Sequence, residues 1–233
     1  MKRYLSVLLV FFLSLMAFSG CSKDDKSTEP QEQTDPAAIQ TVNFTAPQTA
    51  YNDQYIQMIK STVASMNSIM NFPEYFAYRT PAKNGNVYTR TYVNGGFSAS
   101  LIATVNNDAT VWKLILNGID DYSGEQYNNF LSHQADISNG NKTCSGKLFD
   151  SNNNVILTYS WTKGTDNSIT GEYKENTGAN ASRVTAISRA DKSGELKIYS
   201  GTTLKSESTW NASGAGQMKI YGDSGSTTTI TWS

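Results

Sequence analysis

Residues 194–210 read GELKIYSGTTLKSESTW, and residues 216–232 read GQMKIYGDSGSTTTITW. Each begins at a glycine, runs through an alternation of apolar and polar residues, turns, and returns to a tryptophan 16 residues after the glycine. Alternation of period two on both sides of a turn is the pattern of a β-hairpin with one apolar face. The glycines recur upstream as Gly171-Glu-Tyr173 and Gly146-Lys-Leu148, at intervals of 22, 23 and 25 residues, and Trp161 follows Gly146 by 15. Gly96 and Trp112 show the 16-residue offset once more. A repeated hairpin with no long connection predicts an antiparallel meander.

From residue 87 onward the same alternation predicts about 12 strands, at 87–93, 97–105, 110–117, 126–137, 142–149, 155–162, 168–174, 182–189, 195–200, 203–210, 217–221 and 226–232. Asn94-Gly95 and Asn139-Gly140 are tight-turn signals, because both residue types accept positive φ. All five prolines lie before residue 82, and 16 of the 17 glycines lie after it. Between Pro47 and Phe72 the residues Tyr51, Tyr55, Ile59, Val63, Met66 and Met70 fall three or four apart, which predicts one long N-terminal amphipathic helix ending before Pro73. Twelve strands in one sheet twist and curl. The expected fold is therefore mainly β: an antiparallel meander forming a curled sheet or barrel, with the helix against its apolar face.

The N-terminus adds a second layer of meaning. Lys2 and Arg3 precede an uncharged stretch from Tyr4 to Phe18, followed by Ser19-Gly20-Cys21. Charge, a short apolar run and small residues at its exit are the parts of an export signal. Residues 1–20 are thus expected to be a signal peptide, residues 21–45 a lipidated cysteine and disordered tether poor in apolar residues, and residues 46–233 a single domain. Phe18-Ser19-Gly20-Cys21 resembles a lipobox, with Phe where Leu is usual, and the resemblance implies acylation of Cys21. Lys23-Asp24-Asp25 resembles the acidic tags that send some lipoproteins to the outer cell surface, and it reads equally well as the start of a solvated tether. The expected location is the outer membrane, with membrane lipid as a partner through the acylated N-terminus. In layout the plan is similar to the unclosed β-barrels of the lipoprotein-localisation carrier and receptor. It also resembles the hairpin-repeat lipoproteins of bacterial surface proteomes, through Trp112-Lys113-Leu114 and the Gly194 pattern.

Chemistry is sparse. Without residues 1–20 the chain has 17 basic and 20 acidic residues and no basic cluster, which argues against nucleic acid as a partner. His133, the only histidine, shares strand parity with Leu131, Ala135 and Ile137 and reads as a packed or rim histidine in preference to a catalytic one. Cys144 reads as a buried thiol without an intrachain partner once Cys21 is acylated. The oxygen-rich stretches Asn117–Asp121 with Glu125, and Asp150–Asn154, lack the ligand periodicity of a calcium loop and read as turns. No catalytic set, metal site or cofactor is expected. Trp112, Trp161, Trp210 and Trp232 are expected on the inner face in one layer at corresponding ends of alternate strands, and Tyr199 and Tyr221 outward. Such aromatics either close a core or form a platform for a glycan or a hydrophobic ligand. The expected function is a non-enzymatic binding or structural role at the outer membrane or cell surface. The alternative is a periplasmic carrier of a hydrophobic ligand or lipoprotein that uses the concave face.

Overall fold

A computed structural model describes residues 38–50, 53–121, 123–138, 140–176, 178 and 181–233. The signal peptide, Cys21, the acidic tag and Asn139 lie outside the described residues. Thirteen strands follow one another in space as in sequence: β1 (Ala82–Asn84), β2 (Val87–Asn94), β3 (Phe97–Val105), β4 (Ala109–Ile119), β5 (Gln126–Ser138), β6 (Thr143–Phe149), β7 (Val155–Lys163), β8 (Ile169–Glu175), β9 (Ser182–Ser188), β10 (Gly194–Ser200), β11 (Thr203–Trp210), β12 (Gly216–Tyr221) and β13 (Thr227–Trp232). Every pair is antiparallel, and β1 and β13 are the two edges of an unclosed sheet. The expected meander is present. The extra strand, β1, is three exposed residues that pair with β2 across the Gly85-Asn86 turn.

The helix is shorter than its apolar stripe suggests. Helix α1 spans Gln54–Met70, because Asp53 stops it: its Oδ1 accepts from the amides of Tyr55 and Ile56, both at 2.9 Å. The expected start at Pro47 and end at Phe72 are both corrected. After Met70 the chain continues in a 3-10 turn, Phe72–Phe76, which Pro73 can enter at its first positions without losing a needed donor. One face of α1, comprising Ile56, Ile59, Val63, Met66, Ile69 and Met70, is buried.

The tether boundary at residue 45 is also corrected. Val42 and Phe44 are 1 % and 2 % exposed and belong to the core. Asn67 and Asn71, one helical turn apart, hold this segment through both of its backbone groups. The Asn71 side chain accepts from Val42 N at 2.8 Å and donates to Val42 O at 2.6 Å. Asn67 does the same for Phe44, at 2.8 and 2.9 Å.

The inner face is buried from β3, where Leu101 is fully covered, to Trp232 on β13. Thirteen strands laid flat would be about 58 Å wide, whereas α1 is only about 26 Å long. One helix with its flanking segments covers so much sheet only if the sheet curls around it. No helix among the described residues is long and apolar enough to cross a membrane.

Candidate functional site

The tryptophans are explained by what lies opposite them. Trp210 pairs with Gly194 on one side and Gly216 on the other, and Trp232 pairs with Gly216. A Cβ on Gly194 would sit 2.3 Å from Cζ2 of Trp210, and one on Gly216 would sit 2.7 Å from Cζ2 of Trp232. Each indole therefore occupies the space over a strand position that has no side chain. The same device places Tyr159 over Gly146 and Phe44 over Gly171. The indole N–H groups of Trp210 and Trp232 donate to Lys192 O at 3.1 Å and Gly214 O at 2.6 Å, carbonyls of the preceding turns. The Gly–Trp spacing at 194–210 and 216–232 is thus a ring-on-glycine pair. At 146–161 it is displaced, since Gly146 meets Tyr159 and Trp161 meets Cys144 and Gly171. Gly96 does not face Trp112, which pairs with Ala103 and Ala135.

All four tryptophans are on the inner face, as expected, but they do not form one layer on alternate strands. Following the cross-strand pairs, Trp112 shares a row with Ala135, Gly146 and Tyr159. Trp161 lies two residues further along β7, in the row of Gly171, Ala186 and Leu196. Trp210 and Trp232 occupy a third row, two residues further again, with Gly194 and Gly216. They stand on β4, β7, β11 and β13, so Trp112 is carried by a strand of opposite direction to the other three.

On the outer face, Tyr199 on β10 and Tyr221 on β12 stand two strands apart, about 9.5 Å. The guanidinium of Arg183 on β9 packs over the Tyr199 ring at 3.9 Å from its centre. Leu204 is the cross-strand neighbour of Tyr199, beside a bulge in β11. Tyr221 donates its hydroxyl to Glu207 Oε1 at 2.8 Å, and Lys219 Nζ approaches the same oxygen at 3.3 Å. Glu207 lies directly between Lys197 and Lys219 in the register. The Tyr221 hydrogen bond, helped by these two ammonium groups, lowers the Glu207 carboxyl below its ordinary range, and the same bond raises the Tyr221 phenol. Lys205 pairs with Asp223, and Arg183 with Glu172 at 3.9 Å. This outer surface alternates in charge and presents donors, acceptors and two aromatic rings. The arginine over Tyr199 was not anticipated; its signal was the parity of Arg183, opposite to that of buried Val184.

His133 is 3 % exposed and stacked on Phe72 at 5.0 Å, and its Nδ1 is 2.8 Å from Ser132 Oγ. Ser132 is the extra residue of a bulge, which lets its side chain reach the histidine. The same bulge breaks the expected parity: Leu131 pairs with Ile115, and Phe130 takes the position opposite Leu116. Burial pushes the imidazole down to about 3, so it is neutral and sealed from any substrate. Burial, with Asp136 nearby, pushes the Cys144 thiol up to about 12. That is a small core residue in place of a reactive thiolate. The oxygens of Asp150 serve the Asn152 and Asn154 amides, and Ser123 donates to Asp120, as turn chemistry requires. Among the described residues no three His, Cys, Asp or Glu side chains gather as metal ligands. A sequence reading also missed Arg90, 4 % exposed on the inner face, whose guanidinium lies 5.9 Å from the Trp112 ring. No protein-family model matches the chain, and no curated protein matches it either.

Proposed function

We propose that this chain is a lipid-anchored protein of the outer membrane or cell surface that binds its ligand without catalysis, using the outer face of β10–β12, and that the ligand class is a glycan. The observation that supports a binding role is the pair Tyr199 and Tyr221 held on that face, each pinned by a charged neighbour. Rings fixed in place cost little conformational entropy when a sugar stacks on them, and the interspersed carboxylate and ammonium groups match hydroxyls that both donate and accept. The anchor rests on residues 1–21 as read above.

A hydrophobic-ligand carrier would need open apolar space on the inner face. The rings over Gly146, Gly171, Gly194 and Gly216 occupy that face at four places. The wall formed by β5–β7 also carries the buried His133 Nε2, Tyr159 hydroxyl and Trp161 Nε1, none with a hydrogen-bond partner, which suits an apolar ligand poorly.

The test uses the full chain. Cys21→Ser should move the protein from the carbonate-washed membrane fraction to the soluble fraction. Screened by glycan array, the soluble form should bind at least one glycan class, and Tyr199→Ala with Tyr221→Ala should weaken that binding at least tenfold without lowering Tm. Membrane retention of the serine variant would remove the anchor, and undiminished binding by the double variant would remove the site.

A further inference from the structure

The two edges of the sheet are built differently. β1 is three residues long, includes Lys83 and follows Pro81, and next to it Arg79 stacks over Tyr92 of β2 at 5.5 Å. Shortness, charge and bulk are the means by which natural sheets keep an edge from pairing. β13 has none of these. It is six residues long and pairs with β12 in unbroken register from Tyr221↔Thr227 to Gly216↔Trp232. Its other side meets no strand among the described residues. Thr227, Thr228, Thr229 and Thr231 are exposed, and residues 224–233 contain no proline and no charged side chain. Threonine, isoleucine and tryptophan are also strong strand formers.

We infer that β13 is an interface between two copies of this chain, its free edge pairing antiparallel with the same strand of a second copy about a two-fold axis. Three observations favour that occupant. An antiparallel strand that meets its own copy sets like against like, which a charged strand resists and this neutral one does not. A two-fold axis normal to the sheet and centred on Thr229 keeps each face on its own side, pairing Thr229 with Thr229 and Thr227 with Thr231 outside, and Thr228 with Ile230 inside. Finally, the guarded β1 edge disfavours head-to-tail addition of β13 to the next copy, so the assembly closes as a dimer and does not grow into a filament. The chain's own N-terminal segment is a poor donor strand, since residues 22–37 contain Pro30, Pro36 and repeated charges. Six residues of edge bury less than the about 1,200 Å² of a standard stable interface. The dimer is therefore a weak, concentration-dependent one.

Sedimentation velocity on the mature chain carrying Cys21→Ser, so that neither lipid nor micelle contributes, should show a reversible monomer–dimer equilibrium. Thr229→Lys places two ammonium groups face to face across the axis and should move the midpoint at least tenfold higher in concentration with an unchanged melting curve. Thr231→Lys should act in the same direction, and Thr143→Lys, exposed on β6, should leave the midpoint where it was. A Thr229→Cys variant should form an interchain disulfide on oxidation. A chain that stays monomeric throughout the range, or a dimer indifferent to both lysines on β13, would overturn the inference.

Discussion

At the scale of single residues, the repeated glycines and tryptophans are two halves of one device. A strand glycine is unfavourable by itself, having neither side chain to pack nor restricted backbone. Covered by a ring from the next strand it becomes the floor of a close contact, which is why Gly194 and Trp210 recur together as Gly216 and Trp232. Trp210→Ala should therefore cost about 3–5 kcal/mol, and Gly194→Ala about 1–3 kcal/mol, since its methyl meets both the indole and Ile187 O, the latter at 2.8 Å. In the double variant part of the methyl clash is relieved, so urea unfolding should give a sum less than additive by about 0.5 kcal/mol or more. Additivity would mean that the ring does not cover the glycine. His133 supplies a pH signal of known sign. Its folded value is depressed to about 3 from an ordinary 6.5, so the unfolded chain takes up the proton first. The stabilising contribution of the neutral imidazole is complete above pH 6.5 and is lost as pH falls from there towards 3. Between pH 6.5 and 5.5, above the range of the carboxylates, stability should fall with a slope approaching about 1.4 kcal/mol per pH unit. His133→Leu should flatten it. The inward placement of His133 and Cys144 was legible from their shared parity with Ala135, Ile137 and Leu148, whereas the bulge at Ser132 was not, because it shifts the alternation by one residue with no turn residue to mark it.

At the scale of elements, strand positions followed directly from alternation, since half-buried strands must alternate, and β1 escaped because three exposed residues carry no pattern. The helix was legible as an apolar stripe, but its start was decided by Asp53, whose carboxylate competes for the first free amides against a stripe that runs on upstream. Residues 42–44 were misread for a related reason. Val42 and Phe44, with Ile39 the only large apolar residues in a polar stretch of 24, do not look like core, and their backbone partners are the amide side chains of Asn71 and Asn67, a pairing with no sequence period. The clamp makes a sharp prediction. Asn71→Ala leaves the N–H and C=O of buried Val42 without partners, at about 1–3 kcal/mol each. Equilibrium unfolding should show a loss on the order of 2–6 kcal/mol, and hydrogen exchange should quicken first at the Val42 and Phe44 amides. Asn71→Asp keeps the acceptor but sets an oxygen against Val42 O, and should recover less than half of the loss. A variant as stable as the wild type would show that the segment is not held by these bonds.

At the scale of the whole molecule, an unclosed sheet has to be finished by something other than strands. Here the segment before α1 does part of that work. Phe44 fills the place over Gly171, Thr45 hydrogen-bonds Ser188, Gln48 lies against Gly214, and Thr49 reaches the Ser233 carbonyl at 3.3 Å. Residues 45–49 thus run past the ends of β9 to β13, along the row that holds Trp210 and Trp232, and Phe44 sits one row away, in that of Trp161. Curling was legible from strand number and sheet twist, but which segment seals the interior was not, because contacts between positions more than a hundred residues apart leave no periodicity in either segment. This arrangement separates two truncations that composition alone would treat alike. Removing residues 22–37 deletes only what the sequence marks as tether and should leave Tm unchanged. Removing residues 22–46 also strips Val42 and Phe44 from the core, each worth about 1.5–3 kcal/mol of apolar burial, and leaves the amides of Asn67 and Asn71 without the backbone they bind. A loss on the order of 5 kcal/mol, at about 2–4 °C per kcal/mol for a domain of this size, should lower Tm by roughly 10–20 °C. Differential scanning calorimetry of the two truncated chains beside the mature one measures both shifts. Equal melting temperatures for all three would mean that the sheet and helix are sealed without this segment, and would return residues 38–45 to the tether.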